Sequence, residues 1–303
     1  MLLTNDPSDA PAGPKVVAIG SFDGLHLGHQ HLIHQAQQEA KSLHVPLLVY
    51  TFDPPSKVFM KGEGFLTDLS EKLELLRGLG VEIALVVPFT EAFSKRSKED
   101  FLDDLRALEA QRIYVGADFR FGWGRAGGLQ DLESVAPTRI LPLLELGGGP
   151  VKSSRIRELL RQGEVDAARL LLGRAYTARG IVREGDRLGR QLGFPTANLE
   201  VAPLKVLPMG VFVVRVHTEQ GLFGGMANVG YRPTVAGQSL RFEVHLFGFV
   251  GDLYGQELTV EFIARLRGEM KFESLEALKT QLAQDAEAAR RVLGILAGYI
   301  LGG

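Results

Sequence analysis

The chain has 303 residues, 45% hydrophobic and 23% charged, with a formal net charge of -2. That length holds two hydrophobic cores, and the near-neutral balance gives no global field to draw in nucleic acid or an anionic membrane surface. The absence of cysteine excludes disulfides, thiolate zinc sites and cysteine nucleophiles.

The opening MLLTNDPSDAPAGP has neither the basic start nor the apolar core of a secretory leader. It reads as a frayed, proline-rich lead-in, and no apolar run is long enough to span a bilayer, so the expected location is cytoplasmic. KVVAIGSF (15–22) is a short apolar run of strand length. HQHLIHQAQQEAKSL follows as a helix, with Leu32, Ile33, Ala36, Ala40 and Leu43 on one face. PLLVYTF (46–52) predicts the next strand, and SEKLELLRGLG a helix closed by Gly80. VEIALVVPF, KEDFLDDLRALEA, RIYVGADF and RILPLLEL continue the alternation to residue 146, which implies parallel βαβ units.

After the loop GGGP (147–150), SSRIRELLRQGEVDAARLLLGR predicts two short helices. The pattern changes from Tyr176. TARGIVREG, GVFVVRVHT, GLFGGMANVG, RFEVHLFGF and LTVEFIARL alternate polar and apolar residues between glycine-rich turns, as in an antiparallel barrel. A closing helix over roughly 274–300 carries Leu275, Leu278, Leu282 and Ala286 on one side. The expected fold is therefore an α/β Rossmann-like domain with a parallel sheet, residues 1–173, followed by an antiparallel β-barrel with a terminal helix, residues 174–303.

GSFDGLHLGHQHL (20–32) stands between the first strand and the first helix, where parallel sheets bind ligands. Gly20, Gly24 and Gly28 let backbone amides approach a phosphate, and the helix start adds favourable dipole charge. His26 and His29 then flank the same phosphate, where imidazolium groups stabilise developing charge. Two histidines three apart are by themselves more often a solvated first turn. A zinc site has no H-E-x-x-H to support it. GWGRAG (122–127) matches a dinucleotide-binding fingerprint letter by letter, but it follows the fourth strand rather than the first.

These stretches together resemble one family. GSFDGLHLGHQHL is similar to the nucleotide-binding signature of nucleotidyltransferases, and the wider text resembles the prokaryotic bifunctional riboflavin kinases/FMN adenylyltransferases (FAD synthetases). The carriers are TFDP (51–54), YVGADFRFGWGRAG (114–127), SSRIRELL (153–160), LGFPTANL (192–199), FEVHLF (242–247), DLYG (252–255) and LRGEMKF (266–272). Each is modest alone; their order across nearly the whole chain is specific. The resemblance implies ATP-dependent phosphorylation of riboflavin to FMN by the C-terminal half. It also implies adenylylation of FMN to FAD by the N-terminal half, with Mg2+ as cofactor and ATP, riboflavin and FMN as small-molecule substrates; no nucleic acid or membrane partner is expected, and flavoproteins as FAD acceptors stay open.

By resemblance, ATP at the adenylyltransferase site falls to Gly20, Phe22, Asp23, Gly24 and Gly28, with Ser153, Ser154 and Arg157 holding the leaving phosphates and His26 and His29 catalytic. Flavin falls to Asp118, Phe119 and Phe121 in the first half and to Arg267 and Glu269 in the second. Gly193, Pro195, Thr196 and Asn198 are implied to bind ATP for the kinase, Thr196 and Asn198 through magnesium. Glu243 shares a strand face with His245 and matches the family's general base, a carboxylate able to take the proton of a weakly acidic primary alcohol.

The chain departs from the family pattern at Lys152, Pro55 and Gly248, where a serine, a histidine and often an aspartate are usual. Two other readings stay open at this point. One is a riboflavin kinase whose first half only binds nucleotide. The other is a flavin-binding regulator or nucleic-acid module built on the barrel, which requires a basic, aromatic surface.

Overall fold

A computed structural model describes residues 1–185, 189, 192–234 and 237–294. Contacts between Cα atoms divide the chain into two compact units, Met1–Ser153 and Ser154–Gly303. The first contains, in chain order, β1 (Leu2–Thr4), β2 (Lys15–Ile19), α1 (Leu27–Leu43), β3 (Leu47–Asp53), α2 (Ser56–Lys61), α3 (Leu69–Gly78), β4 (Ile83–Pro88), α4 (Glu91–Ser94), α5 (Lys98–Ala107), β5 (Ala110–Gly116), α6 (Leu129–Glu133) and β6 (Thr138–Leu141). The second contains α7 (Ser153–Arg161), α8 (Val165–Leu172), β7 (Tyr176–Arg183), β8 (Ala197–Val201), β9 (Gly210–Thr218), β10 (Gly221–Thr234), β11 (Gly237–Leu246), β12 (Glu257–Arg267) and α9 (Leu275–Val292).

The six strands of the first unit run parallel in the order β1-β4-β3-β2-β5-β6. Because both faces are covered, its strands read as continuous apolar runs rather than alternations. Alternate residues serve different cores. Val17, Ile19, Leu48 and Tyr50 pack with Phe101 and Leu105 of α5, whereas Val16, Ala18, Leu47 and Val49 pack with Ile33 and Ala36 of α1. The order reverses at β2: β3 lies on one side of it and β5 on the other. The residues following β2 and β5 therefore flank one crevice at the carboxyl edge, the usual ligand site of such sheets.

The sequence reading is corrected at both ends. The lead-in holds an edge strand, β1, whose backbone pairs with β4 although Leu2 and Leu3 are largely exposed. Three residues are too few for side-chain periodicity to reveal them. RILPLLEL yields strand only as far as Leu141, since Pro142 cannot donate to a ladder. In α9, Leu275 is 54% exposed, so the first turn lies clear of the core and the covered row is Leu282, Ala286 and Ala289. Residues 295–300 of that predicted helix lie outside the described residues.

The second unit closes as an antiparallel barrel in the order β10-β11-β8-β7-β12-β9. Its interior centres on Phe262, whose ring lies 5.4 Å from Phe212, 5.8 Å from Phe242 and 6.2 Å from Tyr176. All four rings are at most 3% exposed. α9 covers a patch of the outer surface where Val213, Met226 and Phe247 meet Ala286 and Ala289. Truncating the hub removes contacts with three other rings that have little freedom to collapse inward. Phe262→Ala is expected to cost about 3–5 kcal/mol in urea or guanidinium unfolding of the intact chain.

Candidate active sites

The turn after β2 is held in a conformation few sequences would choose. Phe22 and Leu25 have φ of 46° and 40°, a left-handed region that costs a non-glycine residue on the order of 1–3 kcal/mol. Burial of both side chains, at 0% and 1% exposure, offsets that strain. Gly24 lies at φ 80°, and a Cβ there would stand 2.7 Å from Leu66 Cδ1, so both backbone and packing require glycine.

Asp23 fixes this turn to the chain ahead of α3. Its Oδ1 accepts hydrogen bonds from Leu66 N at 2.8 Å and Thr67 N at 3.2 Å, and Gly24 N donates to Thr67 Oγ1 at 3.0 Å. Ser153 Oγ donates to the Asp23 carbonyl at 2.9 Å. Asp23 is thus a staple for the loop, a part that its position in the sequence leaves undecided.

His26 is the N-cap of α1, with its Nδ1 accepting from His29 N at 3.3 Å. A neutral His26 therefore carries its proton on Nε2. The two imidazoles stack with centroids 3.6 Å apart and planes 15° apart, and Phe22 meets His29 edge-on. Burial, then the neighbouring His26 and Lys72, hold the His29 pKa well below the ordinary histidine value. Burial thus disfavours the imidazolium form of His29 in the unliganded chain. Its Nδ1 is buried with no hydrogen-bond partner among the described residues. A bound polyphosphate would supply negative charge that favours the protonated ring. The His29 midpoint, followed by NMR of the imidazole protons, is expected far below the usual histidine range in the free protein and to climb when ATP is added.

The segment after β5 faces the same crevice from the other side of the switch point. Asp118 is exposed, Phe119 is half-buried and Phe121 is buried, with the Phe121 ring 4.8 Å from Phe101. Phe121 belongs to the sheet's core. Reciprocal backbone bonds between Phe121 and Gly127 close the glycine-rich stretch into a tight loop, and Gly127 leaves room for the Phe121 ring. The dinucleotide-like letters therefore build a loop against an aromatic core. Lys152 Nζ lies 3.9 Å from Asp118 Oδ2, so one residue that departs from the family pattern is paired with an expected flavin residue. On α7, Ser154 is exposed and Arg157 is 2% exposed.

In the second unit three polar residues form one row across adjacent strands. Glu243 of β11 is directly opposite Asn198 of β8 on one side and Asn228 of β10 on the other. Phe242 and Val244 point into the barrel, and Glu243 points away from it into a cavity of about 260 Å³. Thr196, Asn228, Arg241, Arg267 and Glu269 also line that cavity. Arg241 Nε is 3.6 Å from Glu243 Oε1. Gly193, at φ 85°, turns the chain into Phe194 and Pro195. His245 donates from Nδ1 to the Pro195 carbonyl at 2.7 Å, tying that segment to β11. A larger cavity, about 550 Å³, lies at the sheet edge among Leu2, Leu3, Asp53, Leu69 and Pro88, none of them a predicted site residue.

Arg267 makes a forked ion pair with Asp285 of α9, with Nη2–Oδ2 at 2.8 Å and Nε–Oδ2 at 3.0 Å. Gln281 Nε2 also donates to Asp285 Oδ1. Arg267 is therefore spoken for, and Glu269 presents its carboxylate against Gly230, where a Cβ would collide with it. Asp285 is 4% exposed, so Asp285→Ala would strand a nearly buried guanidinium. The expected loss is about 3–5 kcal/mol of stability by denaturant unfolding, with weaker ligand retention in the adjoining cavity.

Sequence reasoning missed Thr67, Lys72, Asn228, Arg241 and Asp285. A signal existed for Lys72, which stands one helical turn before the buried Leu76 and so falls on the covered row of α3. Asn228 likewise occupies the cavity side of an alternating strand, but nothing local marks Thr67 or Asp285.

Each unit thus carries its own candidate site, the strained turn at the switch point of the sheet and the Glu243 row on the barrel. The FAD synthetase family model matches residues 9–155 and the riboflavin kinase model residues 172–293. The bifunctional riboflavin kinase/FMN adenylyltransferase of Listeria monocytogenes is 37% identical over 287 residues, 91% of each chain. The Escherichia coli K12 protein of the same description is 37% identical, covering 95% of this chain and 96% of its own. A crystal structure described as a macrolide-efflux protein from Streptococcus pneumoniae superposes with a TM-score of 0.86 at 31% identity, covering 95% of this chain and 98% of that one. The chain belongs to the family of bifunctional riboflavin kinases/FMN adenylyltransferases. Among the described residues no helix is long and apolar enough to cross a membrane.

Proposed function

We propose that the chain performs two consecutive ATP-dependent transfers at separate sites, riboflavin to FMN on the barrel and FMN to FAD on the parallel sheet. The observation that carries this reading is the coincidence of each site with its own family match: the turn at 20–29 lies within the FAD synthetase match and the Glu243 row within the riboflavin kinase match. Functionally the division runs near Gly173, ahead of the barrel's first strand.

At the barrel, the Glu243 carboxylate takes the proton of the riboflavin primary hydroxyl as its oxygen attacks the γ-phosphorus of ATP, and ADP leaves. Arg241 stands beside the carboxylate as a fixed positive charge for the phosphoryl group in transit, and Arg267 and Glu269 border the flavin. Thr196 and Asn198 suit a magnesium ion that takes most of its oxygens from phosphate and water, since they offer one hydroxyl and one amide oxygen. Among the described residues no cluster of three histidine or acidic side chains would hold an ion unaided. When bound, magnesium supplies neutralisation of phosphate charge.

At the sheet, an FMN phosphate oxygen attacks the α-phosphorus of ATP and pyrophosphate leaves. The nucleophile is already an anion, so the step needs no general base and rests on positioning and charge. The backbone amides of the Gly20–Gly28 turn, with Phe22, His26, His29 and Ser153, serve the triphosphate. Asp118, Phe119 and Phe121 shape the flavin side. Asp23 keeps the turn in place.

The test uses the intact chain with riboflavin, ATP and magnesium, separating the three flavins over time. FMN is expected first and FAD after it. Glu243→Gln is expected to lower FMN formation by about 10²- to 10⁴-fold while supplied FMN still becomes FAD. His26→Ala and His29→Ala are expected to do the reverse. A wild-type chain that forms no FAD from FMN would remove the adenylyltransferase assignment.

A further inference from the structure

A lysine is rarely 0% exposed, because its ammonium loses hydration worth several kcal/mol unless it is fully partnered. Lys72 of α3 is buried to that degree, and its Nζ donates a 2.8 Å hydrogen bond to one backbone carbonyl, that of Phe52 at the carboxyl end of β3. Its place is tied to the phosphate-binding turn. The segment Leu66–Thr67, just ahead of α3, is stapled to Asp23 and Gly24, and Asp68 caps the helix with a reciprocal capping box. The first turn of α3 is thus docked on the turn that carries the histidines. Lys72 interacts electrostatically with Asp23 on that turn and with Asp53 at the end of β3. It also interacts with His29 on α1, the ring that stacks on His26.

Resting on the adenylyltransferase reading above, we propose that Lys72 is a positioning residue for adenylyl transfer, its buried ammonium supplying the fixed positive charge against which His29 and the triphosphate are set. The site needs such a charge because His29 enters neutral. Lys72 lies beneath the turn rather than in the open crevice, so water does not screen it.

Burial lowers the Lys72 pKa to about 8, with Asp23 and Asp53 opposing the fall. The charged form is therefore present below that pH and lost above it. The experiment measures kcat/KM for ATP in FMN adenylylation by the intact chain across pH, with riboflavin phosphorylation by the same molecules as the control for folding. In the wild type, kcat/KM is expected to fall as pH rises through about 8. Lys72→Met is expected to lose on the order of 10²-fold at neutral pH, with riboflavin phosphorylation unchanged and the His29 NMR midpoint raised. Lys72→Arg, which keeps its charge, is expected to remove the alkaline limb. The proposal is overturned if Lys72→Met retains both the rate and the limb, or if its His29 midpoint does not move. A wild type that makes no FAD overturns the functional reading instead, so the two failures are distinguishable.

Discussion

The carboxylate of Asp23 is the constraint on which the N-terminal site depends. One oxygen holds the amides of Leu66 and Thr67, and through Thr67 the amide of Gly24, so a turn with two left-handed non-glycine residues stays in one shape. Without that staple the local strain would relax, since buried Phe22 and Leu25 oppose it only while the turn is folded against its neighbours. The same staple seats α3, and α3 carries Lys72. Backbone geometry, histidine stacking and buried charge in this unit are therefore consequences of one acceptor group.

In the proposed function the two sites meet the charge of ATP by different means. The sheet site uses a strained turn, a neutral histidine and a cation below the surface. The barrel site uses a flat row, Asn198–Glu243–Asn228, whose spacing is set by ladder pairing rather than by a loop. A strand row is stiff, which suits a carboxylate that has to meet a single hydroxyl. A turn against a helix start presents several amides at once, which suits an extended polyphosphate. His245 and Asp285 fasten the surroundings of the row, one through Pro195 and the other through Arg267.

Much of this was legible in the residues, for identifiable reasons. β2 to β5 and their helices declare themselves because burial on both faces leaves long apolar runs, and the barrel does so because alternation survives in every strand. The turn was legible because glycines and histidines between a strand and a helix are an uncommon combination. What stayed hidden depends on partners distant in sequence: Asp23 with Leu66, Arg267 with Asp285, Asn228 with Glu243. The lowered pKa of His29 was hidden for a related reason, since it follows first from burial of its ring, then from His26 and from Lys72, 43 positions away. β1 was missed because backbone pairing to β4 leaves no mark in three residues whose side chains are mostly exposed.

Barrel closure has a bearing on how the chain matures on the ribosome. The sheet is complete once β6 has emerged at Leu141, and every one of its strands then has its neighbours. The barrel closes only when β12, Glu257–Arg267, pairs with both β7 and β9, strands made some forty to eighty residues earlier. Until then β7 and β9 present open edges to any strand that passes. A stalled or truncated product ending before Glu257 would thus carry a finished parallel sheet beside an adhesive, half-built barrel. Quality control acting on the nascent chain would encounter its hazard almost entirely in the second half of the gene product.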